Sequence, residues 1–196
     1  IIFDFGDIFV NLNKQAEIDE FKKLGLDGPN EELIQLNDSF ERGKISELEF
    51  IQGFQKYIPN ADVHDIRKAW NSIIGEFPLY RLEFLQMLAG KYRLFLLTTT
   101  DAIHISRFEH MVGISSFSDF YQCFEKVYYS YEMGMRKPQP EIFTHILNKH
   151  DLSPKRTLFV DDKKENTDAA AKLGINVWNL QVGEEDVVDI KKKKIL

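Results

Sequence analysis

Four places in this chain put a polar or charged side chain at the end of an apolar run or just ahead of a helix. IIFDFGDIFV opens the sequence and delivers Asp4, LFLLTTTD delivers Thr98, GMRKPQPEIF presents Lys137, and TLFVDDKKEN delivers Asp161 and Asp162. A carboxylate at the tip of an apolar strand is rigid, partly desolvated and aimed outward, which suits a nucleophile for phosphorus. Two anions repel each other, so such an attack needs cations. Asp161 and Asp162 offer the hard oxygen donors that Mg²⁺ takes, and the metal would serve as template and charge stabiliser. Lys137 adds a fixed positive charge between nucleophile and transferring group, and Pro138 and Pro140 stiffen its approach. Thr98 can bond a phosphoryl oxygen together with nearby backbone N–H groups. Asn166 is placed to orient the carboxylates. Each residue alone has an ordinary explanation: a strand-end Asp caps or turns, a DD pair is usually solvated, a Lys before Pro usually lies on the surface. Their shared setting and order point to a site for Mg²⁺ and a phosphate.

Those residues need a frame that gathers them. From about Tyr92 the sequence alternates between strand and helix patterns. Strands are expected at Arg93–Thr98, Lys126–Ser130, Thr157–Val160 and Asn176–Asn179; helices at Ile103–Met111, Glu141–Lys149 and Thr167–Leu173, the last ending at Gly174. Alternation of this kind predicts an α/β fold, a doubly wound parallel sheet whose ligands bind beyond the carboxyl ends of the strands. Residues 14–89 read differently, as helix throughout. Ile18, Phe21 and Leu24 share one apolar face, and Leu33, Leu36 and Phe40 another. Ser46 with Glu49 forms a capping-box pattern, and Asp62 through Ile74 carries Val63, Ile66, Trp70, Ile73 and Ile74 at helical spacing. Gly28-Pro29-Asn30, Gly43, Pro59-Asn60 and Pro78 punctuate these segments. The expected organisation is a core of residues 1–13 and 90–196 interrupted by a helical module at 14–89.

The 196 residues, 43% hydrophobic with 16 Phe, suffice for a packed core with a smaller insertion. A formal charge of −6 and a pI near 5.4 argue against a general nucleic-acid or anionic-membrane surface. Cys123 is the single cysteine, so no internal disulfide forms; it reads as a small apolar filler in YQCFEKVYY, and a reducing, cytoplasmic home is expected. No apolar run approaches the ~20 residues that span a bilayer, and no signal-peptide pattern is present. Ile1 already lies in a strand pattern, so a few residues including an initiator Met are expected to precede it. The KKKK run at 191–194 reads as a solvated tail.

With these residues in view, the chain resembles the haloacid dehalogenase-like hydrolase superfamily, mostly phosphatases, over its whole length. Asp4 in IIFDFGD is similar to the first motif of that family, Thr98 to the second, Lys137 in GMRKPQPEIF to the third, and Asp161-Asp162 in TLFVDDKKEN to the fourth. The resemblance implies a Rossmann-like core with an inserted α-helical cap, Asp4 as nucleophile, and Mg²⁺ held by Asp4, the Gly6 carbonyl and Asp162. It makes Asp161 a further or outer ligand. It implies a cap that closes over the site and selects the leaving group. Two departures stand out. Many members carry a second Asp two residues after the nucleophile, as acid and base; here it is Gly6, which resembles a subgroup with Asp-x-Gly that includes sugar-phosphate phosphatases. Asp7 is one residue further along and reads mainly as a turn carboxylate. Related sequences also usually read Ser-Asn-Thr-Asn where this chain has Thr98-Thr99-Thr100-Asp101, so one donor facing phosphate or substrate is lost at Thr99 and a negative charge gained at Asp101.

The expected activity is Mg²⁺-dependent hydrolysis of a small phosphate ester, such as a sugar phosphate, through an aspartyl-phosphate. Thr98, Thr99 and Lys137 are expected to bind the substrate, with Arg42 in the FERGK turn reaching its anionic or hydroxyl groups. Three other readings stay open: a metal-independent haloacid dehalogenase, a phosphomutase, and a binding or regulatory protein on a phosphatase scaffold, which Gly6, Thr99 and Asp101 would favour. Trp70 reads as core and His104 as a solvent-facing helix residue. His64, His110, His145 and His150 show no metal-ligand spacing. A monomer or homodimer without nucleic-acid or membrane partners is expected.

Overall fold

The shortest strand is the central one. In the computed structural model, which describes residues 1–193, strand β1 is only Ile2–Phe3, and both residues are fully buried, one on each face of the sheet. It lies between β2 (Phe95–Thr98) and β4 (Leu158–Asp161), with β3 (Lys126–Tyr129) and β5 (Asn176–Asn179) outermost. The order β3-β2-β1-β4-β5 is parallel throughout, as the alternation predicts. β2 and β4 are buried at every position, which explains their unbroken apolar runs. The direction of winding reverses between β1 and β4, so a crevice opens there at the carboxyl ends of the strands. Asp4 and Asp161 sit on either side of it.

Apolar side chains fill both faces of the sheet. Phe3, Phe9, Leu96, Phe108, Phe120 and Val160 cluster on one face; Ile2, Phe95, Leu97, Phe143, Ile146 and Phe159 cluster on the other. Helix α5 (Leu79–Ala89) belongs to the first cluster through Leu82, Phe84, Leu85 and Leu88. A separate group of four helices, α1 (Lys14–Lys23), α2 (Glu31–Glu41), α3 (Glu47–Gln55) and α4 (Val63–Asn71), has its own core of Phe21, Phe40, Phe50, Phe54, Ile66 and Trp70. Phe40 stacks on Phe50 at 4.2 Å between ring centroids, and Phe50 meets the Trp70 ring at 4.9 Å. The expected capping box at Ser46 and Glu49 starts α3, and a second at Asp62 and Asp65 starts α4.

The two strands of chain that enter and leave this helical group pair with each other. Asn11 N–H donates to Glu76 O at 2.9 Å, Asn13 N–H to Ile73 O at 2.7 Å, and Gly75 N–H to Asn11 O at 2.9 Å. Gly75 must be glycine-sized, because a Cβ there would lie 2.7 Å from the Asn11 carbonyl oxygen. On packing grounds the helical module therefore closes near residue 76, one helix earlier than the expected 89, because the apolar face of α5 turns toward the sheet.

Helix α6 (Ala102–Gln122) runs past the expected end at Met111, with Gly113 at φ 78° and ψ 158° breaking it into two parts. The second part was legible as Phe117, Phe120, Tyr121 and Phe124, spaced to share one face. The remaining helices are α7 (Ser130–Met133), α8 (Pro140–Lys149) and α9 (Lys164–Lys172). α9 begins three residues before its expected start at Thr167. The lysine run reaches Lys194, which lies outside the described residues; Lys191 ends a 3-10 turn, and Lys192 and Lys193 pair with Asp189 and Glu185. No helix among the described residues is long and apolar enough to cross a membrane.

Candidate active site

β1 and β4 hydrogen-bond side by side, and Asp4 N–H donates to Val160 O at 2.9 Å, so the ends of the two strands are level. That register brings the Asp4 and Asp161 carboxylates together, and Lys137, arriving from the turn before α8, fits between them. Its Nζ lies 2.7 Å from Asp4 Oδ1 and 2.6 Å from Asp161 Oδ2, with all three side chains buried. Burial alone would strip the charge from Lys137, but Asp161 and Asp4 outweigh it and hold its pKa above the ordinary value. Burial pushes the Asp4 carboxyl up, Lys137 pulls it back, and Asp161 adds to the rise, so the net direction is upward.

Asp161 is the best satisfied of the carboxylates. Oδ1 accepts from Lys163 N–H at 2.8 Å, and the Asn166 amide donates to both oxygens at 3.0 Å. With Lys137 on Oδ2, its acceptors are committed, and the residue orients Lys137 rather than offering itself outward. Asp162 is the opposite: half-buried, with no hydrogen bond or ion pair to its side chain among the described residues. Burial, Asp161 and Asp7 raise its pKa. Asp4, Asp161 and Asp162 each place an oxygen within 4.8 Å of the others, and the Gly6 carbonyl accepts no backbone hydrogen bond among the described residues. Uncommitted hard oxygens beside a buried cluster of negative charge fit a small divalent cation.

The second strand end supplies hydroxyls. Thr98 closes β2 and is buried, while Thr99 Oγ1 is buried without a hydrogen-bond partner among the described residues. An orphaned buried hydroxyl beside a carboxylate cluster suits an oxyanion ligand. This segment is held by Ser130, a residue the sequence analysis missed: its hydroxyl accepts from Thr100 N–H and donates to Thr100 O, both at 3.0 Å. Ser130 directly follows β3, so the strand-end pattern that exposed the other residues would have found it too.

Asp7 adopts φ 57°, accepts from Leu12 N–H at 2.9 Å and pairs with Lys14 at 3.4 Å, so it is a turn carboxylate. At Gly6 the space of a side chain is filled by Leu12, whose Cδ1 would lie 2.8 Å from an added Cβ.

Arg42 does not join the carboxylate cluster. Its guanidinium binds Asp38 at 2.7 Å and donates to Gln139 Oε1 at 2.6 Å, forming part of a clasp in which Arg136 also reaches Asp38 and Glu41. Gly43 beside it approaches so closely that a Cβ would lie 2.1 Å from Tyr131 O. The expectation of a substrate-facing Arg42 gives way to a residue that joins α2 to the turn carrying Lys137.

His104 is likewise not solvent-facing. It stacks on Trp70 with ring centroids 4.9 Å apart, and its Nδ1 lies 3.0 Å from Asp101 Oδ2. Asp101 caps α6 through Ile103 N–H and His104 N–H and accepts from Trp70 Nε1 at 3.0 Å. Burial opposes charge on Asp101, yet His104 and these donors hold its pKa below the ordinary value; Asp101 in turn raises that of His104 against burial. The charge that Asp101 adds near the threonines is therefore neutralised locally and ties α4 to α6.

Comparison with known proteins agrees with this geometry. The model of a family described as haloacid dehalogenase-like hydrolase matches residues 2–174. A D-ribitol-5-phosphate phosphatase of Bacteroides thetaiotaomicron is 27% identical over 191 residues, 94% of this chain and 93% of that protein. A haloacid dehalogenase family enzyme of the same organism, solved with magnesium and inorganic phosphate, is 33% identical with a TM-score of 0.83, covering 94% of each chain. A family hydrolase from Porphyromonas gingivalis is 27% identical with a TM-score of 0.83, covering 100% of this chain and 97% of that one. An L-2-haloacid dehalogenase, at 14% identity and a TM-score of 0.62, shares the fold.

Proposed function

From the fact that this chain belongs to the haloacid dehalogenase-like hydrolases, we propose that it is a Mg²⁺-dependent phosphatase for a small phosphorylated sugar or polyol, with Asp4 as nucleophile. The observation that carries this reading is Lys137 clamped between Asp4 and Asp161 while Asp162 and the Gly6 carbonyl stay uncommitted. Asp4, Asp162 and the Gly6 carbonyl would hold the metal, which would neutralise phosphate charge and template the reacting groups. Asp161 acts one step back, fixing Lys137.

Lys137 takes Asp4 Oδ1, which leaves Oδ2 to form the O–P bond as the ester P–O bond breaks. Lys137, Thr98 and Thr99 are assigned to the phosphoryl oxygens. The leaving alkoxide takes a proton that Gly6 cannot supply, so substrate or solvent provides it. Water then displaces Asp4 and releases inorganic phosphate. The likeness to a D-ribitol-5-phosphate phosphatase over almost the whole of both chains supports a polyol or sugar leaving group. Helices α1–α4 are proposed to act as the cap that covers it. A dehalogenase reading would leave Asp162 and the Gly6 carbonyl without a use.

Phosphate release from a panel of sugar, polyol, nucleotide and aryl phosphates, with Mg²⁺ and with chelator, tests the reading. Asp4→Asn is expected to lower kcat by at least about 10³-fold, a scale on which loss of a covalent nucleophile ordinarily falls. Equal release with and without Asp4 would overturn it.

A further inference from the structure

A cavity of about 400 Å³ lies between α1, α2, α4 and the start of α6, and its wall carries Glu17, Asn37, Glu41, Trp70, His104 and Lys163. Most of that wall is aromatic or aliphatic, and its polar groups are sparsely paired. Glu17 makes no hydrogen bond or ion pair with any described residue, although it is largely shielded from solvent. Burial pushes its carboxyl up to about 7; His104 draws it back, and Asp101 and Glu41 add to the rise. The amide oxygen of Asn37 is buried with no hydrogen-bond partner among the described residues. Glu41 pairs with Arg136 at 2.8 Å, its single side-chain partner among the described residues, and burial raises its pKa as well. Buried acceptors without donors are rare in folded proteins, because each forfeits its hydrogen bonds to water.

The cavity is also polarised. Its lysines stand toward the metal-site carboxylates: Lys14 pairs with Asp7, and Lys163 directly follows Asp162. Both lysines line the cavity, which therefore opens onto the carboxylate cluster at the end where Lys14 and Lys163 stand. A phosphate ester placed with its phosphate at the strand ends would extend its other end past the lysines toward Glu17, Asn37 and Glu41. There it meets hydrogen-bond acceptors on one side and aromatic rings on the other. A carbon chain bearing hydroxyls satisfies both, with its O–H groups donating and its C–H face packing on the rings.

Resting on the phosphatase reading above, we propose that Glu17, Asn37 and Glu41 are the specificity-determining residues of this site. They accept hydrogen bonds from the hydroxyls of an uncharged polyol or sugar leaving group and turn away leaving groups that carry a second anion. A carboxylate or second phosphate would face the acidic side chains of Glu17 and Glu41, whereas an uncharged hydroxyl chain supplies the donors that Glu17 and Asn37 lack.

A matched pair of substrates tests this: glucitol 6-phosphate, and 6-phosphogluconate, which differs by a terminal carboxylate. With Mg²⁺ at pH 8.5, where Glu17 carries its charge, the wild-type protein is expected to prefer glucitol 6-phosphate by at least about 30-fold in kcat/KM, and Glu17→Gln and Glu41→Gln to shrink that ratio by about 10-fold or more, mainly through KM. Asn37→Leu should lower affinity for free glucitol, measured by calorimetry on the Mg²⁺-loaded protein with phosphate bound, and that readout needs no turnover. Melting curves establish that each variant is folded before its ratio is read. An undiminished preference in both glutamine variants, or unchanged glucitol affinity in Asn37→Leu, overturns the assignment. p-Nitrophenyl phosphate, which has no hydroxyl tail, separates the two levels. Its hydrolysis by wild type with a flat response to the sugar pair overturns the selectivity alone, and no phosphate release from any ester overturns the phosphatase reading as well.

Discussion

The strand-end carboxylates and the cavity carboxylates are both withdrawn from solvent, yet the fold compensates them in opposite ways. Around Lys137 the partners are dense: one ammonium serves two carboxylates, and Asn166 and a backbone N–H complete Asp161. Around Glu17 the positive group that draws its carboxyl back is His104, itself already committed to Asp101. A compensated cluster is rigid before any ligand arrives, which is what attack on phosphorus needs. An under-compensated one stays receptive, and a ligand's donors can complete it. The chemistry and the selectivity therefore occupy regions of opposite electrostatic character.

The sharpest way to break this contrast is to make the first region resemble the second. Lys137→Ala leaves Asp4 and Asp161 buried side by side without their cation, and removal of one partner from a buried charge pair typically costs about 3–5 kcal/mol. The expected outcome is a loss of that size in urea unfolding, together with loss of phosphate release. Mg²⁺ is expected to return part of the lost stability, since it brings positive charge to the same carboxylates. A loss below about 1 kcal/mol would mean that the cluster is not held by Lys137 in the way its distances indicate.

The first region was legible in the sequence and the second was not, for a physical reason. Asp4, Thr98 and Asp161 each follow an apolar run, and a parallel sheet brings the carboxyl ends of its strands to one edge whatever lies between them. Residue type plus strand position was enough to gather them, and Lys137 joined through its motif. The cavity depends on faces of α1, α2 and α4 meeting α6, and a local period states which residues are apolar but not which neighbour they meet. Thus Trp70 was read correctly as core, while His104 was misread, since its burial comes from a helix more than thirty positions away. The partners of Arg42 were hidden for the same reason: Asp38 is local, but Gln139 lies 97 residues on. α5 was grouped with the helical module because it is as helical as its neighbours, and only its packing sets it against the sheet.

A smaller change sharpens the contrast from the other side. Glu17 keeps its proton to about pH 7 in the folded chain, whereas its ordinary value is 4.5. Between those values the folded state holds a proton that the unfolded state has lost, so the Glu17 contribution to stability falls as pH rises through that window. The full shift corresponds to at most about 3–4 kcal/mol, given up by pH 8. Glu17→Gln removes this dependence, with a small offset because His104 loses a negative neighbour. His104, Glu41, Lys14 and Lys163 also line the cavity, Asp101 acts on Glu17 from behind His104, and all remain in both proteins. Subtracting the two stability–pH curves therefore isolates Glu17. The variant is expected to match wild type near pH 4 and to exceed it at pH 8, while losing preference for uncharged leaving groups. Identical curves would show that Glu17 is not strained by its surroundings.

The smallest expected effect falls where the two regions meet. Ser130 is fully buried at the end of β3, and its hydroxyl makes two 3.0 Å hydrogen bonds with the backbone of Thr100. On one side Thr100 adjoins the orphaned Thr99 hydroxyl and Asp101; on the other, Tyr131 abuts Gly43 of the α2–α3 turn. Ser130→Ala leaves a buried N–H and C=O unsatisfied, at about 1–3 kcal/mol. Because Thr98 and Thr99 hang from the same segment, KM for the phosphate ester is expected to rise by about 3- to 10-fold, in line with a small displacement of positioned groups. The ratio between glucitol 6-phosphate and 6-phosphogluconate should stay as in wild type, since neither Glu17 nor Glu41 is touched. A variant that lost the ratio along with affinity would show that the cavity is positioned through the phosphate-binding segment, and the two regions would then have to be treated as one.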